Sequence, residues 1–180
     1  MIFLSGCVPI IVGGGLATGG YTALRDKKVG DSLNDSKLDG EIKKRLYKVS
    51  PKLFSEVSAV VDEGCVLLTG VVSNPEWVSV AEKESWAVEG VAAVDNNVTY
   101  GEAVSPGQIA KDGLITTACR SALICAGDVR SVNYKLKTTD GVVYVRGIAR
   151  TENELSIVLS KLQRVSGVKK VISYVKIMGK

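Results

Sequence analysis

The hydrophobic pattern in the second half of the chain predicts a β-hairpin. Apolar and polar side chains alternate between residues 132 and 137, as on a half-buried strand, and the apolar positions are Val132, Tyr134 and Leu136. The pair Asp140-Gly141 that follows is a strong signal for a tight turn. Residues 142–146 are then predicted to form the returning strand.

Helical stripes lie on both sides of this hairpin in the sequence. Thr151, with Glu154 three residues later, predicts a capping box at a helix start, and Gly167 fits the helix end. Between them, apolar residues recur at spacings of three and four, which marks one helix face: Leu155, Val158, Leu162 and Val165. Residues 168–177 predict a third strand. The shorter stripe before the hairpin consists of Ile115, Cys119 and Leu123.

The first half of the chain repeats this order. Gly64 and Gly141 are 77 positions apart, and the same offset aligns the other landmark residues without a gap: Leu38 with Ile115, Leu46 with Leu123, Gly90 with Gly167 and Val98 with Val175. A repeat of this length indicates a duplicated domain rather than a solenoid unit. Each copy is predicted to be α+β, in the order helix, strand, strand, helix, strand, with two helices covering a three-stranded mixed sheet. We place the domains at residues 35–104 and 105–180.

Both copies resemble the BON domain, a family of bacterial envelope domains. The resemblance covers residues 35–177 and rests on two features, the glycine-bounded hairpins at residues 64–70 and 141–147 and the tails at residues 88–91 and 165–171. Two such domains behind a lipoprotein signal are similar to the DolP-type outer-membrane lipoproteins. The run from residue 112 to 123 resembles the start of that family's second domain. The resemblance implies a non-enzymatic protein that supports outer-membrane integrity.

The N-terminal segment, residues 1–34, contains a candidate lipid-attachment site. A Leu-Ser-Gly-Cys motif ends at Cys7, and in bacterial lipoproteins such a cysteine carries the acyl chains. Val8 follows it instead of the aspartate that retains lipoproteins in the inner membrane, so the family rule implies the periplasmic face of the outer membrane. Residues 8–24 are uncharged but rich in glycine, which favours a tether over a membrane-spanning helix. Residues 25–37 are polar and predict a linker.

The charge of the chain is divided unevenly between its two domains. Residues 35–100 contain 7 Lys and Arg against 11 Asp and Glu, a net charge of −4, whereas residues 105–180 contain 13 against 5, a net charge of +8. A basic domain attracts anionic lipid or nucleic acid, and it also attracts an acidic neighbouring domain. We expect anionic lipid and no nucleic acid, because aromatic residues are not interleaved with the basic ones.

The composition argues against catalysis. The chain has no histidine, which removes the most common general base and metal ligand, and it has no P-loop, nucleophile elbow or Cys-x-x-Cys motif. We therefore expect no catalytic residue, metal or cofactor. Cys119 lies on an apolar stripe and is predicted to be a buried thiol. A Cys119–Cys125 disulfide is not expected, because the two residues lie on different helix faces.

The predicted lipid contact lies on the helix that opens the second domain. Away from its core stripe, this helix has a side that is apolar at both ends, small in the middle and flanked by cations. Its residues are Lys111, Leu114, Thr117, Arg120, Ser121 and Ile124. Such a side suits shallow insertion between lipid headgroups, and the resemblance implies that the corresponding helix binds anionic phospholipid. The resemblance also implies an aromatic residue at the position where this chain has Leu114.

Two alternatives to lipid binding stay open. Leu114 and Ile124 could be ordinary isolated surface residues, and the chain could be a periplasmic protein-binding scaffold or an osmotic-stress accessory protein with an unknown envelope partner. Trp77 and Trp86 in the first domain either mark a contact between the domains or pack normally. Their spacing puts them on roughly opposite helix faces, so they cannot both serve one contact.

Overall fold

The structure, a computed structural model, describes residues 10–11 and 29–178, with side chains described from residue 34. The described residues divide into two compact units, one formed by residues 29–105 and the other by residues 106–178 together with a two-residue strand, β1 (Ile10–Ile11). Cys7 and most of the predicted tether lie outside the described residues. Within residues 10–11 and 29–178, no helix combines the length and the apolar composition that crossing a bilayer requires.

The first domain follows the predicted order with one additional helix. Its elements are α1 (Val29–Val49), α2 (Pro51–Glu56), β2 (Val57–Asp62), β3 (Cys65–Val72), α3 (Glu76–Trp86) and β4 (Ala93–Tyr100). Strand β3 lies between an antiparallel β2 and a parallel β4, which gives a mixed three-stranded sheet. The linker predicted for residues 25–37 is wrong from Val29 onwards, because α1 begins there although its first residues carry no apolar stripe.

The short helix α2 follows directly on α1. Ser50 separates the two helices, and its hydroxyl accepts a hydrogen bond from the Lys52 N–H at 3.2 Å, while Pro51 occupies the first helical position. The core of this domain lies between the helices and one sheet face. It includes the predicted α1 stripe and apolar residues of each strand: Leu38, Ile42, Leu46, Leu53, Val57, Ala59, Val61, Val66, Leu68, Val72, Ala81, Val88 and Val98.

The second domain repeats this architecture. Its elements are α4 (Pro106–Ile124), a 3-10 turn (Ser131–Asn133), β5 (Tyr134–Thr139), β6 (Val142–Ala149), α5 (Glu152–Gln163) and β7 (Lys170–Ile177). Strand β6 pairs antiparallel with β5 and parallel with β7. The short β1 adds to the outer edge of β7, a fourth strand that the sequence pattern did not predict. Val132 was predicted to lie on a strand, but it lies in the 3-10 turn and is 78% exposed.

Both predicted hairpins are present, and their turns have the same backbone conformation. The φ angles of Asp140 and Gly141 are 47° and 74°, and those of Glu63 and Gly64 are 53° and 71°. Two consecutive positive φ angles are typical of the turn that matches the twist of a two-stranded hairpin, and Gly adopts them without a steric penalty. The turn chemistry therefore fixes the register of β5 on β6, in which Thr139 pairs with Val142.

The predicted core stripes of the second domain are buried against the sheet, except for Val165, which lies beyond the end of α5 and is partly buried. The core consists of residues from α4, the connection that follows it, α5 and the three longer strands: Ile115, Cys119, Leu123, Ala126, Val129, Tyr134, Leu136, Val143, Val145, Ala149, Leu155, Val158, Leu162, Val171 and Val175. The hydroxyl of Thr151 caps α5 by accepting from the Glu154 N–H at 3.1 Å. Gly167, with a φ of 87°, lies in the turn that leads to β7, beyond the last residue of the helix.

Candidate functional site

All six residues of the predicted lipid contact are exposed on α4. Leu114 is 71% exposed and Ile124 is 64% exposed, and they lie at opposite ends of the predicted contact. Thr117 and Ser121 lie between them, and the Thr117 hydroxyl donates to the Gly113 carbonyl at 3.0 Å. We call Leu114, Thr117, Ser121 and Ile124 the α4 face. Its centre consists of small side chains, so only the two ends project apolar bulk into solvent.

One cation lies on each side of the α4 face. Helical geometry puts Lys111 beside the Leu114 edge and Arg120 beside the Ile124 edge, and both side chains are exposed. Neither forms an ion pair with another residue in the part of the chain that the structure describes. The positive charge of each is therefore available to an anionic ligand.

Hydrogen bonds hold α4 against the hairpin of its own domain. The buried Asp112 carboxylate accepts from the backbone N–H groups of Asp140 and Gly141, at 2.7 and 2.9 Å. One turn later, the Thr116 hydroxyl lies 2.7 Å from the Thr138 hydroxyl. These contacts, together with the buried stripe, set the rotation of the helix about its axis. The α4 face is therefore held towards solvent.

A buried carboxylate fixes the connection that follows α4. Glu154 on α5 accepts from the backbone N–H groups of Arg130 and Arg150, at 2.8 and 2.9 Å, and from the Arg150 Nε at 2.8 Å. Burial alone would raise the pKa of Glu154, but these hydrogen bonds outweigh it and the pKa is lowered. The predicted capping box is thus only half formed, because the Glu154 side chain bonds residues 130 and 150 and not its helix cap.

Two exposed apolar residues near this region were not predicted as part of it. Ile109 is exposed on α4, one turn before Gly113, and Val132 is exposed in the 3-10 turn. Ile109 does not fall on the core stripe of α4, so its exposure could have been predicted from the sequence. Val132 gave no such signal, because its alternation with polar neighbours imitates a strand.

The cysteines of the described residues offer no reactive pair. Cys119 is buried, and burial raises the pKa of its thiol to about 11, as expected for a structural cysteine. Cys65 is also buried, Cys125 is exposed, and no disulfide joins these three. Within the described residues, no three His, Cys, Asp or Glu side chains are grouped closely enough to hold a metal ion.

The two tryptophans of the first domain have different surroundings. Trp77 is partly buried and packs against the core of its own domain, which is the normal packing that the sequence left as one alternative. Trp86, at the end of α3, is half exposed. The sequence spacing predicted that the two side chains lie on different faces of α3, and their different exposure agrees with that prediction.

Comparison with known proteins identifies the family of both domains. Residues 34–102 and residues 111–179 each match the BON domain. The chain belongs to the BON-domain family. It is 32% identical over 176 residues to the outer membrane lipoprotein DolP of Haemophilus influenzae, covering 97% of this chain and 90% of that protein. The expected resemblance to dual-BON proteins of the DolP type is thus confirmed.

Two further relatives share most of the chain. An uncharacterized protein encoded in the gshII 5' region of Anaplasma centrale is 35% identical over 146 residues, covering 81% of this chain and 95% of that protein. The osmotically-inducible protein Y of Escherichia coli K12 is 29% identical over 147 residues, covering 80% and 73%. The similarity therefore extends across both domains and is not limited to one of them.

Proposed function

We propose that this chain is a non-enzymatic, lipid-anchored envelope protein whose second BON domain binds anionic phospholipid through α4. The observation that carries the proposal is the α4 face. Leu114 and Ile124 project from its two ends, small residues lie between them, and Lys111 and Arg120 flank it without ion pairs in the described chain. The apolar ends enter the headgroup layer while the two cations contact lipid phosphate.

The expected strength of this contact explains why an anchor is also needed. Complete burial of a Leu or Ile side chain contributes about 1.5–3 kcal/mol, and a cation beside an anionic membrane contributes about 1 kcal/mol. Two residues of each kind give roughly 5–8 kcal/mol, which is comparable with the cost of immobilising a protein on a surface. The α4 face therefore orients a protein that is already held at the membrane.

The anchor in this proposal is an acyl-modified Cys7. The similarity to an outer membrane lipoprotein supports placement at the outer membrane. In this proposal the chain faces the periplasm and contributes to membrane integrity. Two acyl chains give stable attachment, whereas one is marginal. Cys7→Ala is expected to move the protein from the membrane fraction to the salt-washed supernatant. A Cys7→Ala protein that still behaves as an integral membrane protein would exclude this anchor.

Vesicle flotation tests the lipid contact. The chain is used with Cys7→Ala, so that acyl groups cannot supply the binding, and is mixed with vesicles of phosphatidylcholine with or without an equal part of phosphatidylglycerol. Binding is expected only to the anionic vesicles, weaker in high salt, and reduced by Leu114→Asp and by Arg120→Glu. Matched controls on the exposed side of α5, Ser156→Asp and Lys161→Glu, should bind as the parent does.

The same experiment separates the alternative function. The alternative is a periplasmic scaffold or an osmotic-stress accessory protein, and neither needs to recognise lipid. The similarity to an osmotically-inducible protein supports the second of these. Equal binding by the parent and both α4 variants, or no preference for anionic vesicles, would refute the lipid proposal and favour that alternative.

A further inference from the structure

The last strand of the second domain is only partly covered by a neighbour on its outer side. Strand β1 pairs antiparallel with β7 there, with Ile10 opposite Ser173 and Ile11 opposite Ile172. Strand β7 extends over Lys170–Ile177, so β1 covers two of its eight positions. We call this outer side of the strand the β7 edge. Most of the β7 edge has no paired strand within the described residues.

The sequence around β1 shows why the covering strand is short. Residues 10–12 are Ile-Ile-Val, which favour an extended conformation, whereas Pro9 before them and the glycines at residues 13–15 after them are disfavoured in strands. A two-residue strand offers few ladder hydrogen bonds, and pairing costs the conformational freedom of the residues that it orders. Strand β1 is therefore a weakly held cover on a longer edge.

The first domain contains the equivalent edge without a covering strand. Strand β4 has the place of β7 in the repeat, and no strand within the described residues pairs with its outer side. At the repeat offset of 77, the three central residues of the two strands are Asp95, Asn96 and Asn97 in β4 against Ile172, Ser173 and Tyr174 in β7. Asp and Asn are disfavoured in strands, and a charge on an edge strand discourages pairing. The first domain therefore limits strand addition by its sequence, and the second does so by a cover.

A side chain limits the part of each edge that accepts another strand. In β4 the Val98 N–H donates to Asn96 Oδ1 at 3.1 Å, and in β7 the Val175 N–H donates to Ser173 Oγ at 3.3 Å. Each of these donors is thus already used within its own strand. The part of the β7 edge that remains suited to pairing is residues 170–173, which includes the two positions where β1 lies.

A purely structural explanation is that β1 is an incidental contact of a chain that passes the domain. This explanation does not account for the contrast between the two repeats. The edge without a cover has polar residues at its centre, and the edge with a cover has Ile172 and Tyr174 at the same positions. An apolar edge strand that loses its neighbour is a template for another strand.

The geometry of the edge favours the β7 strand of a second copy as that neighbour. The pairing with β1 shows that the edge accepts an antiparallel strand. Two β7 strands related by a two-fold axis also run antiparallel, and each chain then buries the same surface. With the axis at Ile172, this residue lies opposite its counterpart, and Lys170 of each chain lies opposite Tyr174 of the other. Like charges therefore do not meet across the pair.

We propose that the β7 edge is a self-association surface for a second copy of this chain, paired β7 to β7, and that β1 covers this surface in the single chain. The covered and the paired states exclude each other, because both use the backbone of Ile172 and Ser173. Displacement of β1 converts a monomer into a two-fold dimer, in which one sheet runs continuously through both second domains.

The test compares the mass of the full chain in solution with β1 intact and with β1 unable to pair. All proteins carry Cys7→Ala, so that acyl chains cannot cause aggregation, and are kept reduced, so that the exposed Cys125 forms no disulfide. Ile10→Pro combined with Ile11→Pro removes both backbone N–H groups of β1. By light scattering, the parent should have the mass of one chain. The double proline variant should reach twice that mass as its concentration is raised.

Matched substitutions locate the contact. Ile172→Asp gives the β7 edge the residue that the first domain has at the same repeat position, and in the double proline variant it should restore the mass of one chain. Thr139→Asp adds the same charge on β5, at the opposite edge of the sheet, and should leave the dimer unchanged. Thermal unfolding checks that each variant is folded. If the double proline variant is not, deletion of residues 8–12 uncovers the edge instead.

Four results would overturn the proposal. A double proline variant with the mass of one chain at every concentration would show that the uncovered edge does not pair. A dimer that survives Ile172→Asp, or one that Thr139→Asp disrupts equally, would show that association does not depend on the β7 edge. A parent that is already a dimer and dissociates on proline substitution would show that β1 crosses to a second chain and does not cover its own.

Discussion

The carboxylate of Asp112 on α4 accepts a hydrogen bond from the backbone N–H of Gly141, at 2.9 Å, in the turn of the β5–β6 hairpin. The first domain contains the same contact at the repeat offset, since the Asp35 carboxylate accepts from the Gly64 N–H at 3.1 Å. In each domain a buried carboxylate thus joins the first long helix to a turn with positive φ angles. Without this carboxylate, the buried N–H groups of Gly64 and Gly141 would lose their acceptor.

Asp112→Ala is expected to destabilise the second domain by about 2–3 kcal/mol. The variant leaves the N–H groups of Asp140 and Gly141 without their charged acceptor, and each such loss is costly in a buried site. Urea unfolding and hydrogen exchange of the hairpin amides measure the effect. Asp128→Ala, at an exposed position of the same domain, should change stability by less than about 0.5 kcal/mol. Similar losses in the two variants would contradict this role.

Glu154 should make the stability of the second domain depend on pH in the acid range. Its folded-state pKa is lowered, so its contribution is present above the ordinary glutamate pKa, about 4.3, and is lost as the pH falls through the lower folded-state value. Glu154→Gln is expected to cost about 1–3 kcal/mol at pH 7, because it weakens charge-assisted hydrogen bonds. The unfolding free energies of the two proteins should converge as the pH falls through the lowered folded-state pKa of Glu154. A constant difference across this range would contradict the assignment.

Gly147 is expected to tolerate no side chain. Its φ is 149°, and a Cβ there would collide with the carbonyl of Asn133, so Gly147→Ala should cost about 3 kcal/mol or more and could abolish folding. Gly113→Ala is the matched control, because nothing lies near a Cβ at that helical position. It should raise stability by up to about 1 kcal/mol. Thermal unfolding of both variants distinguishes a requirement for glycine from a general preference.

The features predicted correctly from the sequence are those that local chemistry determines. The Asp140-Gly141 turn requires positive φ angles that few residue pairs adopt, so the pair predicts the turn directly. The apolar residues around Cys119 all lie on one face of their helix, so the buried side of that helix was also predictable. The α4 face followed from the same periodicity, as the side of the helix that the core does not use.

The features that were missed depend on contacts between residues far apart in the sequence. Val132 continues the alternation of β5, but the chain turns there, since the Asn133 N–H bonds to the Arg130 carbonyl at 2.9 Å. Glu154 has the right position for a capping box, yet its carboxylate bonds a loop 24 residues earlier in the chain. The pairing of Asp112 with the hairpin likewise spans 29 residues and gives no local signal.

The last prediction concerns Leu114, where the resemblance to the DolP type led us to expect an aromatic residue. Leucine is apolar but lacks the preference of tryptophan for the headgroup region, so Leu114→Trp is expected to strengthen binding to anionic vesicles, in contrast to Leu114→Asp. The side chain is 71% exposed, so the larger ring fits without disturbing the core. Flotation in the Cys7→Ala chain measures the gain.

The control for this variant is Ser156→Trp on the exposed side of α5, which adds the same ring away from the α4 face. Only the ring at position 114 should enter the interface, and its fluorescence should shift to shorter wavelength when anionic vesicles are added. Because Trp77 and Trp86 also emit, the shift is measured as the difference from the parent chain. An equal gain in binding from Ser156→Trp would mean that any added aromatic ring strengthens adsorption, and that α4 is not the specific lipid contact.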